Sequence, residues 1–289
     1  MDDLRDETYL AAIAALEGKP PLERLLRRGD QRRLIAEAAD WYLSQHDGPV
    51  SRSGACVIVT AGPTGAGKTT TVANAVSDLA RRRVIDPDMA KRYLAQWCAE
   101  HGLYPDLLAT ILSDDRTLQP MELAPLLQTM SIEVTNSVRR AALASSEDVV
   151  LAATLSSATY GDRLLRSLAK APAYTELLIV SVETSRATAH ERVRSRWWAE
   201  RGSDPLGGRL VTPQAIDAFY GSNDNMSRCR HNAMALLEVV RSEKTEFKRV
   251  SMISYDGDDL AFVDSDPPRP LTRPSVITLP PGSTGANPS

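Results

Sequence analysis

The stretch VIVTAGPTGAGKTTT, from Val57 to Thr71, constrains the fold more than any other part of the chain. A β-rich run leads into Gly62-Pro63-Thr64-Gly65-Ala66-Gly67-Lys68-Thr69, which matches GxxxxGK[ST], and a helical pattern follows from Lys68. Strand, glycine-rich turn and helix in that order make a phosphate loop. The glycines let backbone N–H groups converge on phosphate oxygens at a helix N-terminus. Lys68 then reaches the β- and γ-phosphates and the Thr69 hydroxyl binds Mg²⁺, with Thr70 in the same nucleotide-binding set. A glycine-rich turn without a ligand is the bland alternative, and the full motif in this context argues against it. A GTPase base pocket needs Asn-Lys-x-Asp after a strand. The nearest approach, Asn223-Asp224-Asn225, lies in a polar helical stretch, so the reading is ATP.

The rest of the pattern extends this unit into an α/β fold. Residues 1–50 carry apolar residues at helical spacing over Leu4–Leu16 and Leu34–Leu43, broken by Gly18-Lys-Pro-Pro21 and Asp47-Gly-Pro49. From Ala55, β-rich runs at 55–60, 83–86, 148–154 and 176–182 alternate with helical stretches, the first of them Lys68–Arg83. Strands separated by helices are joined by right-handed crossovers, which gives a parallel sheet covered on both faces. A charged helix over Arg186–Arg201, a glycine-rich loop at 202–208, a helix from Pro213 and a closing strand pair over 247–264, turning at Asp256-Gly257-Asp258, complete the pattern. The expected organisation is a helical N-terminal extension (1–50), a P-loop kinase domain with a doubly wound, mainly parallel sheet (51–264) and a disordered tail rich in Pro, Ser and Gly (265–289). Residues 1–50 are read as packing on the sheet edge in preference to serving as a docking surface.

Composition excludes some partners. Hydrophobic residues make up 43% and charged residues 25%, with a net charge of −3, which argues against a general nucleic-acid coat. No apolar run approaches the roughly 18 residues of a membrane span. The acidic start MDDLRDETYL has no apolar signal region, and Cys56, Cys98 and Cys229 are far apart, so the expectation is a cytoplasmic protein with reduced thiols and no transition-metal site.

The phosphate loop leaves the destination of the terminal phosphate open. A hydrolase of this fold carries Asp or Asp-Glu at a strand end. The 148–154 run ends Ala152-Ala153-Thr154, and only Val182-Glu183 keeps the hydrolase reading open. The carboxylates stand at Asp86 and Asp88, after the strand that follows the phosphate loop, where doubly wound sheets open their crevice. A carboxylate there accepts a proton from a hydroxyl attacking the γ-phosphate, or simply caps the next helix. Arg192 and Arg196 share a helix face, and Arg201 and Arg209 follow. They suit a lid that excludes water and stabilises a transferring phosphoryl group, or a solvated charged helix.

Together these motifs resemble the zeta toxin family of bacterial kinases over residues 53–260. The resemblance implies a P-loop kinase fold, ATP and Mg²⁺ as cofactors, and transfer of phosphate to the 3′-hydroxyl of the amino sugar in UDP-N-acetylglucosamine. It also implies a small antitoxin partner. Lys68 and Thr69 fall on the loop residues, Asp88 on the catalytic Asp in an IDxDxxK-like motif, with Asp86 and Lys91 beside it, and Arg196 and Arg209 on the two lid arginines. Thr154 falls on the Thr of the family's IEGT, as an acceptor contact. Two departures stand out: Ala152 occupies the place of that motif's Glu, and Ser156 the place of a following Arg. Glu133, on the preceding helix, is the substitute carboxylate, and another nucleotide-linked or small hydroxyl acceptor is the rival to UDP-N-acetylglucosamine. An ATPase or nucleotide-binding module without an acceptor is the further alternative.

Overall fold

A computed structural model of the chain describes residues 2–221, 226–242, 247–257 and 259–265. In chain order it forms α1 (Asp2–Leu16), α2 (Leu22–Leu25), α3 (Arg28–Ser44), β1 (Cys56–Ala61), α4 (Lys68–Ala75), β2 (Arg83–Ile85), α5 (Pro87–Glu100) and α6 (Pro105–Leu108). It continues through α7 (Gln128–Ala144), β3 (Val149–Leu151), α8 (Ala158–Leu168), β4 (Glu176–Glu183), α9 (Arg186–Ser203), α10 (Pro213–Asp217), α11 (Arg228–Ser242), β5 (Arg249–Asp256) and β6 (Asp259–Ser265). Short 3-10 turns occupy Leu79–Arg81 and Pro120–Leu127. The segment read as a disordered tail, beyond Ser265, and Asn223-Asp224-Asn225 lie outside the described residues. No helix among the described residues is long and apolar enough to cross a membrane. The chain divides into two compact units, one of residues 1–45, 86–139 and 185–221, the other of residues 46–85, 140–184 and 222–289.

The second unit holds the sheet, in the order β2-β3-β1-β4-β5-β6, with every neighbouring pair parallel except β5 and β6. Successive side chains on a strand point to opposite faces, so a strand buried along its whole length is covered on both. All six residues of β1 are buried, and so is β4 from Leu177 to Glu183. Val72 and Ala75 of α4 pack with Ile58, Val150, Leu178 and Val180, while α11 packs on β4 and β5. This is an α/β P-loop kinase fold, as the motif order predicts.

Two elements are shorter than their sequence suggests. The third strand ends at Leu151 and not at Thr154, because the next residues spend their main chain on other partners. The Ala152 N–H donates to the Ile85 carbonyl at 2.9 Å, and the Ala153 carbonyl accepts from the Thr60 hydroxyl at 2.7 Å. The helix from Lys68 stops at Ala75, not Arg83. Its Thr-rich start is a weak helix former, Val76 is extended (φ −117°), and Asp78 is taken by the Arg82 guanidinium in two bonds of 2.9 Å.

The first unit is helical. Its apolar core joins Tyr9, Ala12 and Leu16 of α1, Leu34 of α3, Leu94 and Cys98 of α5, the 120–127 turn and Trp197 of α9. The N-terminal helices therefore pack on helices of this unit: α1 on α9, and α3 on α5. Within the same unit lies a buried ion cluster. Arg201, completely buried, donates to both oxygens of Glu122 at 2.7 Å and both oxygens of Asp114 at 2.8 Å. Trp197 Nε1 donates to Glu122 at 2.9 Å, and the Gln119 N–H does so at 2.7 Å. Arg201 is thus a structural cation and not part of a lid. Paired and hydrogen-bonded on every side, it escapes the several kcal/mol that an isolated buried charge costs.

Burial opposes ionisation of Asp114, and the hydrogen bonds from Arg201 and Arg116 overcome it, holding the carboxyl down at about 2. A carboxyl lowered on folding contributes stability that is full above its unfolded value near 4 and is lost as the pH falls towards 2. The gap corresponds to about 2 kcal/mol. Asp114→Asn is expected to remove that part of the pH dependence. Circular dichroism of acid unfolding checks this: the difference in stability between wild type and variant should shrink between pH 4 and pH 2.

Candidate active site

In the second unit the chain leaves β1 into the phosphate loop. Gly62 is buried at φ +139°, and a Cβ placed on it would lie 2.1 Å from the Val182 carbonyl of β4. Its N–H donates to the Thr154 carbonyl at 3.0 Å. Gly62 thus ties the loop to the segment after β3 and passes close against the end of β4. The Pro63 ring is buried, Thr64 and Gly65 are half-buried, and Ala66 packs into the sheet core beside Val72. Gly67 precedes the helix, and Thr69 and Thr70 are exposed on its first turn.

The residues present fit a nucleotide triphosphate. Lys68 Nζ donates to the neutral carbonyls of Gly62 and Pro63, each at 2.8 Å. Charged phosphate oxygens are stronger acceptors than these. The first-turn N–H groups of a helix have no acceptor within it and carry the positive end of its dipole. Mg²⁺ bound to a nucleotide keeps several waters and takes phosphate oxygens as ligands, so a site here would need few protein ligands, and the Thr69 hydroxyl on the first turn is the kind of group that would serve. Thr154 lies beside the loop, its main chain on Gly62 and its hydroxyl donating to Ser156 Oγ at 3.1 Å. Leu155 is buried in the left-handed conformation (φ 54°), and Asn232 Nδ2 holds its carbonyl at 2.7 Å. Glu183 is buried and fully engaged: one carboxylate oxygen accepts from the Thr184 N–H at 3.1 Å, the other from the N–H and hydroxyl of Ser227 at 3.0 and 2.9 Å.

In the first unit the residues after β2 form a second cluster. Asp86 is extended (φ −122°) and caps α5, its side chain accepting from the Asp88 N–H at 2.9 Å, with Pro87 preset for the first helical position. The capping role thus belongs to Asp86, which leaves the Asp88 carboxylate for other partners. Arg209 Nη1 donates to Asp88 Oδ1 at 2.9 Å and Lys91 Nζ to the same oxygen at 3.3 Å. Arg196 lies near enough to act on the Asp88 charge. Glu200 bridges the two arginines, pairing with Arg196 Nε at 3.9 Å and accepting from the Arg209 N–H at 3.1 Å.

Withdrawal from water works against ionisation of Asp88, and the charges of Arg209, Lys91 and Arg196 outweigh it, so the carboxyl sits below its ordinary value. Asp86 moves the other way, raised first by burial and then by the Asp88 charge. Burial lowers the Lys91 ammonium despite its carboxylate neighbours. Of the residues singled out from sequence, the fold brings Asp86, Asp88, Lys91, Arg196 and Arg209 together in this unit, and the phosphate loop and Thr154 together in the other. Glu133 is exposed on α7, and among the described residues no hydrogen bond or ion pair joins it to the acid–arginine cluster. Glu200 is the member that sequence reasoning missed; its only signal is its place four residues after Arg196.

A family model described as an AAA domain matches residues 57–205, just over half of the chain. Among solved structures, the chain is similar to one from the PezAT chromosomal toxin–antitoxin system of the human pathogen Streptococcus pneumoniae. The TM-score is 0.51 at 14% identity, over 86% of this chain and 84% of that one. It is similar also to the crystal structure of AvrRxo1-ORF1:-ORF2 with ATP, with a TM-score of 0.51 at 15% identity, over 82% of this chain and 68% of that one. At such identities the likeness is one of fold, and at that level it bears out the resemblance to zeta toxins. No curated protein sequence matches the chain.

Two measurements test the clusters separately. Lys68→Ala is expected to weaken ATP binding by roughly 100-fold in calorimetry, since it removes a charge-assisted contact to phosphate. Arg209→Ala is expected to move the titration of the Asp86/Asp88 pair to higher pH, because the ionised Asp88 loses its nearest cation. Side-chain carboxyl NMR reads this directly, and an unchanged titration would contradict the assignment.

Proposed function

The chain belongs to the AAA domain family, and from that premise we propose that it is an ATP- and Mg²⁺-dependent small-molecule kinase of the zeta-toxin type. It transfers the γ-phosphate to a hydroxyl of a sugar-nucleotide, with the 3′-hydroxyl of UDP-N-acetylglucosamine as the leading acceptor. The observation that carries this reading is the Asp88 carboxylate, free of capping duty and held by Arg209 and Lys91. A carboxylate beside phosphate-seeking cations suits transfer to a hydroxyl. The rival residue for water activation, Glu183, has both carboxylate oxygens committed to Thr184 and Ser227.

In this reading Lys68 and the main chain of Gly62–Thr70 bind the phosphates of ATP, and Thr69 would ligate Mg²⁺. The metal, when bound, neutralises charge on the β- and γ-phosphate oxygens. The acceptor hydroxyl oxygen forms a bond to the γ-phosphorus as the bond to the β-phosphate oxygen breaks. Its proton passes to the Asp88 carboxylate, and ADP leaves. Arg196 and Arg209 stabilise the charge on the transferring group. When Arg209 serves a phosphoryl oxygen in place of Asp88, the carboxylate loses a cation and becomes the stronger base. Asp86, Lys91, Glu133 and Thr154 are the residues proposed to bind the acceptor.

A different nucleotide-linked acceptor is the second reading, because Ala152 offers no carboxylate where the family pattern has one. A small antitoxin is the proposed protein partner, and the cytoplasm the proposed location.

Incubation of the purified protein with labelled ATP, first with UDP-N-acetylglucosamine and then with a metabolite extract, tests the reading by mass spectrometry of the products. A phosphorylated sugar-nucleotide is expected, and Asp88→Asn should lower its rate by roughly 100-fold or more while ATP still binds. Free phosphate with no organic product would refute the kinase.

A further inference from the structure

The N-terminal helices do more in the first unit than fill its core. Tyr42 of α3, 2% exposed, accepts with its hydroxyl from the Asp86 N–H at 2.7 Å and donates to the Asp86 carbonyl at 3.3 Å. Both main-chain polar groups of one residue are thus held by one side chain. That residue is the cap of α5, and Asp88 follows two positions later, bonded back to it. Tyr9 of α1, also 2% exposed, donates its hydroxyl to the Val211 carbonyl, two residues beyond Arg209. Its ring packs edge-on against Trp197, the neighbour of Arg196, with centroids 5.3 Å apart. A side chain on Gly208 would meet the Trp197 carbonyl at 2.1 Å, so the strand of chain before Arg209 lies directly on α9. Arg5 adds an exposed tie to α9, donating to Glu191 at 2.9 Å and Ser195 at 3.2 Å.

The two tyrosine hydroxyls spend their hydrogen bonds on main chain beside the base and beside the lid arginine. An apolar core residue would fill the same space without them. Phenylalanine at either position would keep the ring packing and leave the gripped main-chain groups without that partner.

We propose that Tyr42 and Tyr9 are positioning residues for phosphoryl transfer: α3 and α1 grip the main chain that carries Asp88 and Arg209 and set the distance between carboxylate and guanidinium. The proposal rests on the kinase reading for its catalytic consequence and on the hydrogen bonds alone for the grip. Small displacements of reacting groups are costly: about 1 Å of misplacement can lower a rate by roughly 100-fold. The Phe variants leave ring packing in place, so the fold should survive them.

The test uses full-length Tyr42→Phe, Tyr9→Phe and the double variant, with ATP and UDP-N-acetylglucosamine as substrates. Each single variant is expected to lower kcat by roughly ten-fold with KM for ATP little changed, the pattern of an interaction that matters in the transition state. Amide hydrogen exchange should quicken locally, at Asp86–Met89 in Tyr42→Phe and at Leu210–Val211 in Tyr9→Phe, with the sheet unaffected. Exchange as slow as in the wild type would overturn the grip, and quickened exchange with unchanged kcat would overturn the positioning role. Wild-type protein that phosphorylates no acceptor would sink the kinase reading instead, while exchange would still decide the grip.

Discussion

The contact on which the second unit depends is the approach of Gly62 to its neighbours on both sides. A parallel sheet delivers the carboxyl ends of its strands to one edge, and a phosphate loop must turn there without blocking that edge. Gly62 does so by donating to the Thr154 carbonyl on one side and pressing its α-carbon against the Val182 carbonyl on the other. The loop conformation is therefore set by the segment after β3 and by β4 as much as by its own residues. A Cβ at this position would collide with main chain, which cannot move without disturbing β4. This explains why the residues after Leu151 abandon the ladder: they are needed to hold the loop.

The first unit solves a different problem. Its candidate site consists of charges, and charges at close quarters need a frame that does not yield. The frame is built from opposite chemistry in two layers. Apolar helix faces from α1, α3, α5 and α9 provide the bulk. Inside them, Arg201 fixes Glu122 and Asp114, and Glu122 in turn fixes Trp197. Breaking such a cluster by removing one member leaves an uncompensated buried charge, which costs about 3–5 kcal/mol. The charges of the Asp88 cluster sit outside this inner knot, where they keep some water. Arg196 is about two-fifths exposed and Asp88 about one-third, against zero for Arg201. Buried ions hold the helix; half-exposed ions remain able to change partners.

This division tells which features were legible in the sequence. The phosphate loop was, because its chemistry lies in contiguous main chain and needs glycines at fixed places. The parallel sheet was, since its buried strands read as apolar runs bounded by helices. Strand and helix ends were less so: Ala152, Ala153 and Val76 would suit the longer elements, and bonds to distant partners decide against them. By composition Arg201 and Arg209 look alike in a cationic stretch; the resemblance singled out Arg209, and the fold shows that Arg201 is a buried structural cation while Arg209 pairs with Asp88. Tyr42 and Tyr9 were invisible for the same reason. Their partners lie 44 and 202 residues away, and a hydroxyl bonded to main chain leaves no pattern in side chains.

The segment after Leu151 is where the chain departs most from the zeta-toxin pattern it resembles, and its local structure shows what stands there instead. At position 152 the N–H is already tied to the Ile85 carbonyl and the side chain is a methyl, so the side chain offers no hydrogen-bonding group in place of a carboxylate. Thr154 keeps a hydroxyl, and Ser156 Oγ accepts from it at 3.1 Å, a neutral pair in place of the expected Thr and Arg. Both hydroxyls can donate as well as accept, whereas a carboxylate only accepts and a guanidinium only donates. A neutral pair discriminates less by charge than the Glu and Arg of the zeta-toxin pattern would. Rejection of analogues that lack a hydrogen-bonding group is strong only where a buried partner is left unpaired, and two hydroxyls that pair with each other avoid that penalty.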